Sequence, residues 1–398
     1  MKSWMSNIVA GIFGALLVIG VQYYISTKQD EAHAEEAIEA PSWKPHFARE
    51  AEPPAVAFDF VRAAEIATPA VVYIKVEESE KLARRRYESY LDQWDPFRGT
   101  PFEGFFRDKI YDPFHRDFLP RRKGEGSGII ISPDGYIVTN NHVVEFGDRF
   151  EVTLNDGRTY SARLIGREPR ADLAVLKIDA EDLPYLEYGD SDEVKVGQWV
   201  LAIGNPFGYL RSTVTAGIIS AKGRDLDIIP VEGAVEEFLQ TDAVINPGNS
   251  GGALVNTEGK LIGVCTAIAT RTGVFNGYSF AIPSNLVRTI VDDIIQHGSY
   301  QRPLFGVYVV PIDDELQEAL GLETKEGVVI DELVQGGAAQ LAGLLPNDVI
   351  VKIDKRPIRT VQDLRNALAN YRVGDTITVT VIRNGKEKQL QVRLQQGI

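Results

Sequence analysis

Three short segments, met in one order along the chain, constrain its fold more than any other feature. They are Thr139-Asn140-Asn141-His142-Val143-Val144, Ala171-Asp172-Leu173-Ala174-Val175 and Gly248-Asn249-Ser250-Gly251-Gly252. Each carries one member of a proton-relay set: an imidazole, a carboxylate, an alcohol. A serine hydroxyl is a weak nucleophile at neutral pH, so it needs a base, and the base needs a fixed acid to orient it. The order His, Asp, Ser matters as much as the residues. Gly248 to Gly252 taken alone also fits a nucleophile elbow, but that fold needs the acid and then the base after the serine. Only His297 follows Ser250, and no parallel β/α alternation is visible.

The residue choices follow by elimination. Of five histidines, His33 and His46 lie near the N-terminus, His115 in a long insertion, and His297 at a helix end. Only His142 follows an apolar strand, Tyr136-Ile137-Val138-Thr139. Histidine suits the base role because its ordinary pKa lies near physiological pH. Asp172 precedes the apolar run Leu173-Ala174-Val175-Leu176 and falls between the other two segments; Asp190, Asp192 and Asp242 are positional rivals. Glycines around Ser250 let successive amides point one way. The N–H groups of Gly248 and Ser250, joined by Asn249, are the expected donors to an oxyanion.

Composition narrows the class. The net charge of -14 argues against nucleic-acid partners, which call for a basic patch. One cysteine, Cys265, excludes an intrachain disulfide and sits in an apolar run, as a buried structural thiol does. Nothing in the sequence calls for a metal or cofactor. Ile8 to Ile25 is uncharged and apolar, long enough for a short membrane span, with Lys2 before it. Residues 1–25 are therefore expected as an N-terminal transmembrane helix, with the cytoplasmic side at the N-terminus. The alternative is a cleaved signal peptide and a soluble protein, for which Ala32-His33-Ala34 lies rather far from the apolar run.

Residues 26–57, rich in Ala, Glu and Pro, read as a flexible tether. A short helix is expected over Asp59–Ala67 and a first strand over Val71–Val76. Residues 79–123 break the strand pattern and read as a long inserted loop rich in aromatics. Short strands with turn signals resume at Ile129 and continue to Ala281, which predicts a mostly β barrel or sandwich. A helix from Pro283 to His297, capped by Gly298, closes a unit spanning 58–298. A second unit, 299–398, has a capping box at Thr360–Asp363 and a tight hairpin at Asn384-Gly385.

With these motifs assembled, the chain resembles the HtrA/Deg family of trypsin-like serine proteases. Gly204-Asn205-Pro206-Phe207-Gly208 and Gln240-Thr241-Asp242-Ala243 add to the likeness. The resemblance implies a chymotrypsin-like double β-barrel followed by one PDZ domain. It implies that His142, Asp172 and Ser250 hydrolyse peptide bonds in misfolded or regulatory proteins. Asn249 stands where trypsin-like enzymes usually have aspartate, so activation by a freed N-terminus is not implied. Ala171 stands where relatives often have threonine. Ile245, Ala267 and Ile268 are expected to line an apolar specificity pocket. Leu304-Phe305-Gly306-Val307 would be the PDZ loop that grips a peptide C-terminus, with the peptide adding a strand beside it. Loops 222–237 and 269–276 are expected to switch when that peptide binds. The family also implies a homotrimer, for which Phe58 and Phe60 are candidate contacts, and a periplasmic catalytic domain held at the inner membrane. The rival expectation is a peptide-binding chaperone or stress sensor with secondary proteolysis.

Overall fold

The computed structural model describes residues 14–26, 59–94, 121–206, 212–226, 228–231, 233–246, 248–268, 277–322 and 325–396. Chain contacts divide it into Met1–Phe58 and Asp59–Ile398. In the first unit, residues 14–26 are helical with exposed side chains, and the tether lies outside the described residues. Among the described residues no helix is long and apolar enough to cross a membrane.

The second unit is built from short strands with one buried face. Along β1 (Val71–Glu77) Val72, Ile74 and Val76 are fully buried while the residues between them are partly exposed. This period of two is what a half-buried strand requires. With β2 (Lys123–Ile130), β3 (Tyr136–Thr139), β4 (Arg149–Thr153), β5 (Thr159–Glu168) and β6 (Leu173–Ile178) it closes a barrel in the order β1-β2-β3-β6-β5-β4. A second closed barrel, in the order β10-β11-β12-β9-β8-β7, uses β7 (Trp199–Gly204), β8 (Thr213–Arg224), β9 (Phe238–Thr241), β10 (Ala253–Asn256), β11 (Leu261–Ile268) and β12 (Ser279–Pro283). Closure leaves no strand edge free to pair with another chain. The helix Ser284–His297 follows and ends at Gly298, whose φ of 77° is the left-handed cap expected of glycine.

Two expectations change. Strand β2 starts at Lys123, six residues before Ile129. Its first half was hidden by Gly124, Gly126 and Gly128, which look like a loop. A Cβ on Gly126 would lie 2.8 Å from Val143 and one on Gly128 2.7 Å from Ile137. These glycines mark close packing inside a strand. The 79–123 segment is likewise not a loop throughout, because Glu80–Trp94 is a helix. Ser79 starts it: its hydroxyl accepts from the Leu82 amide at 3.2 Å and donates to Asp148 at 2.6 Å. Buried Glu78 then receives both Arg86 nitrogens, at 2.9 and 3.0 Å. The aromatic run 95–120 lies outside the described residues.

The last part is a sheet in the order β14-β15-β16-β18-β19. Its members are β14 (Val307–Pro311), β15 (Val328–Leu333), β16 (Val349–Ile353), β18 (Thr376–Arg383) and β19 (Lys386–Arg393). Short β17 (Arg356–Pro357) pairs with β16, and β13 (Pro303–Leu304) pairs with β20 (Gln395–Gln396). The Asn384-Gly385 turn has positive φ at both positions, 52° and 71°, as a type I′ hairpin demands. The capping box is present: Thr360 and Asp363 satisfy one another's amides at the start of the helix Val361–Ala369. That helix faces the second barrel. Asn366 donates to the Glu236 carbonyl at 2.7 Å and accepts the Glu236 amide at 3.2 Å. Beside it Arg356 reaches Glu237 at 2.7 Å and Asp192 at 3.0 Å.

Candidate active site

The site lies between the two barrels. Strand β3 runs into a short helix, Asn141–Val144, which carries His142. A 3-10 turn, Pro169–Ala171, ends at Asp172, whose φ of 51° is left-handed. Aspartate tolerates that conformation better than most side chains. In that conformation the carboxylate lies against His142. Asp172 Oδ1 accepts the His142 backbone N–H at 3.0 Å, and Oδ2 lies 2.8 Å from Nδ1 of the ring. An ionised carboxylate only accepts, so Nδ1 carries the proton and Nε2 of the neutral ring keeps its lone pair. The Asp172 carbonyl is held as well, by the Asn141 amide and the Asn140 side chain, each at 3.1 Å.

Two influences compete on the His142 ring. Desolvation is the larger single one and opposes charge. The Asp172 hydrogen bond and charge, helped by the charge of Glu145, outweigh it together, so the pKa lies above the ordinary 6.5. The rival carboxylates are engaged elsewhere. Asp190 takes the Asn285 amide group at 2.7 Å, Asp242 takes the Ile218 N–H at 2.7 Å, and Asp192 pairs with Arg356.

Ser250 sits in the turn before β10. Its hydroxyl donates to the Thr266 carbonyl at 3.2 Å, so its one proton is not directed at His142 in this arrangement. The Thr266 hydroxyl donates to Asp172 Oδ2 at 2.6 Å. One residue of β11 therefore touches both the alcohol and the acid. In the sequence Thr266 is one threonine in an apolar strand and carries no signal of this contact.

The Asn249 amide is a correction to the expected donor set. It donates to the Asn246 carbonyl at 2.9 Å, which closes the turn and removes it from the oxyanion donors. Gly248, with φ 95°, and Ser250 remain. A Cβ on Gly248 would lie 2.6 Å from Pro206, so the left-handed turn and the close approach both call for glycine there.

Ile245 is a second correction. It is 2% exposed and packs in the core of the second barrel with Leu239, Ala243 and Leu254, so among the described residues it faces the barrel core. Ala267 and Ile268 end β11, opposite Phe280 and Ser279; their side chains lie outside the described residues. Loop 269–276 and residues 207–211 lie outside them too. Cys265 is buried, and burial pushes its thiol up to about 12, which leaves it unreactive at neutral pH.

In the last domain, Leu304 belongs to β13 and Val307 opens β14. Gly306 has φ 81°. The carbonyls of Phe305 and Gly306 are turned inward, accepting from Ala339 and Val334 at 2.9 and 3.0 Å. The Phe305 side chain is core, not groove: it packs with Val328, Ile330 and Leu364. Among the described residues β14 pairs only with β15, so its other edge is open.

Comparison with known proteins agrees with this architecture. The trypsin-like peptidase domain family matches residues 126–264, and the PDZ domain family matches 303–394. The probable periplasmic serine endoprotease DegP-like of Chlamydia trachomatis serovar D is 42% identical over 346 residues, which is 85% of this chain and 68% of that protein. The DegP-like protein of Rhizobium meliloti is 35% identical over 408 residues, covering 97% and 76%. Among solved structures, the HtrA-type protease AlgWS227A with decapeptide matches with a TM-score of 0.63 and 39% identity, covering 86% of this chain and 98% of that one. A serine endoprotease from Yersinia pestis matches with a TM-score of 0.52 and 32% identity, covering 86% and 100%. The chain belongs to the HtrA/Deg family of serine endoproteases, a trypsin-like peptidase domain followed by a PDZ domain.

Proposed function

We propose that this endopeptidase cleaves misfolded or regulatory proteins in the periplasm with Ser250, His142 and Asp172. Ser250 Oγ rotates from the Thr266 carbonyl towards His142 Nε2 and attacks the scissile carbonyl. His142 takes the proton and returns it to the leaving amine. Asp172 holds the ring tautomer and stabilises the imidazolium. The Gly248 and Ser250 N–H groups receive the oxyanion. The 2.8 Å contact between His142 Nδ1 and Asp172 is the observation that carries this reading. Hydrolysis of unfolded casein tests it: Ser250→Ala should abolish turnover, and full activity in that variant would refute the assignment.

Peptide C-termini bind the last domain as an added strand on the open edge of β14, with their carboxylate at residues 304–307. The decapeptide named with the AlgWS227A structure supports a peptide ligand for this family. Ile8 to Ile25 forms a single inner-membrane span; resistance to alkaline extraction, lost when residues 1–25 are deleted, tests it. Three chains assemble through the start of the protease domain. Phe60 already packs edge-on against Trp199 at 5.4 Å, so the assembly would extend an existing aromatic contact. Sedimentation of Phe60→Ala against wild type tests the trimer.

A further inference from the structure

Ser127 lies on β2 of the first barrel and is fully buried. Its hydroxyl donates to the Gly248 carbonyl at 2.7 Å and accepts the Asn205 amide at 2.8 Å. Its backbone N–H donates to the Ser250 carbonyl at 2.8 Å. Its own carbonyl accepts from Thr139 Oγ1 at 2.8 Å, on the strand that leads to His142. Gly251 lies so close to that carbonyl that no Cβ fits.

The turn around Ser250 consists of planar peptide units, each with one N–H and one C=O fixed to a common plane. In the Gly248–Asn249 unit, the carbonyl is held by Ser127 Oγ and the N–H by Asn246. In the Ser250–Gly251 unit, the carbonyl is held by the Ser127 N–H and the Gly251 amide by the Cys265 carbonyl. Between them stands the Asn249–Ser250 unit. Its carbonyl accepts from Gly252 at 2.9 Å, and among the described residues its N–H has no acceptor. Both neighbours of the donor unit are thus clamped by one residue of the other barrel.

We propose that Ser127 is a positioning residue which aims the oxyanion donors, the Ser250 N–H above all. The inference rests on the catalytic reading given above. Without its hydroxyl the Gly248 carbonyl and the Asn205 amide lose a buried partner, and the first unit of the turn is free to tilt. Substrate would still bind, but the developing oxyanion would meet a misaimed donor. The loss therefore appears in the transition state and not in ground-state binding.

The test compares full-length wild type with Ser127→Ala on one peptide substrate and one peptide boronate, whose tetrahedral adduct with Ser250 places an oxygen at the donors. Ser127→Ala should lower kcat about 10- to 100-fold, part of the ~10²–10³ that removal of a whole donor costs, with KM within about twofold. Boronate affinity should fall in proportion to kcat. Unchanged kcat, or a lower kcat with unchanged boronate affinity, would overturn the proposal. A merely structural role would lower the melting temperature and leave boronate affinity per folded molecule intact. Should the alanine variant not fold, Ser127→Cys, which keeps a weak donor at similar volume, carries the same readout. Ser250→Ala separates the two readings: if it is inactive while Ser127→Ala keeps wild-type kcat, only the positioning role fails.

Discussion

Removing the Asn366 side chain should loosen the grip of the PDZ domain on the protease. Its amide makes two contacts to the Glu236 backbone, at 2.7 and 3.2 Å. Glu236 is itself a hub. Its buried carboxylate accepts the amides of Leu226, Ile228 and Ile229 at 2.8, 2.8 and 2.7 Å. One residue earlier, the Val235 amide donates to the Arg170 carbonyl at 2.8 Å, two positions before Asp172. Asn366 lies on the helix that flanks the proposed peptide groove, so peptide binding and the loop share one mechanical element. At about 1 kcal/mol for each buried hydrogen bond, Asn366→Ala removes about 2 kcal/mol of this coupling. That is a shift of roughly 30-fold in the balance between loop arrangements, at 1.4 kcal/mol per tenfold. The variant should change basal turnover and shrink the stimulation given by a C-terminal peptide. Turnover with and without peptide, together with hydrogen exchange over 222–237, measures both effects. If basal rate, stimulation and exchange all stay within about twofold of wild type, the Asn366 contact does not couple the domains.

Other outcomes follow from the site. Because the His142 pKa in the free enzyme is raised above 6.5 and the base must be neutral, kcat/KM should fall with acid along a limb lying above that value. Glu145→Gln removes one of the charges that raise it, so the limb in a pH–rate profile should move to lower pH. Thr266→Val keeps the shape but deletes the 2.6 Å bond to Asp172. A hydrogen bond to a charged group is worth ~1.5–3 kcal/mol, so steady-state kinetics should show kcat down by tenfold or more with little change in KM. Gly251→Ala combines a φ of 84° with a clash against Ser127 and Thr139, and should cost more than ~2 kcal/mol in thermal unfolding.

Much of the architecture was legible in local pattern. The apolar alternation of Val71–Val76, the Thr360 capping box and the Asn384-Gly385 hairpin all form as their chemistry dictates. What stayed hidden depends on distant neighbours. The start of β2 reads as loop because its glycines answer to Val143 and Ile137, which arrive from elsewhere in the chain. Ile245 looks like a pocket wall beside the serine motif, yet the alternation of the chain turns it into the barrel core. Helix Glu80–Trp94 is tied down by fully buried Ala83 and by the ion pair between buried Glu78 and half-exposed Arg86, partners the sequence does not reveal. Thr266 and Ser127 matter only through partners that folding brings to them, 94 and 121 residues away in sequence.

That long reach has a consequence for synthesis. The frame around Ser250 is supplied by strand β2, which is made early, while the turn itself is made late and shaped only once both barrels meet. The nucleophile is therefore framed only after the second barrel has been made and has packed against the first.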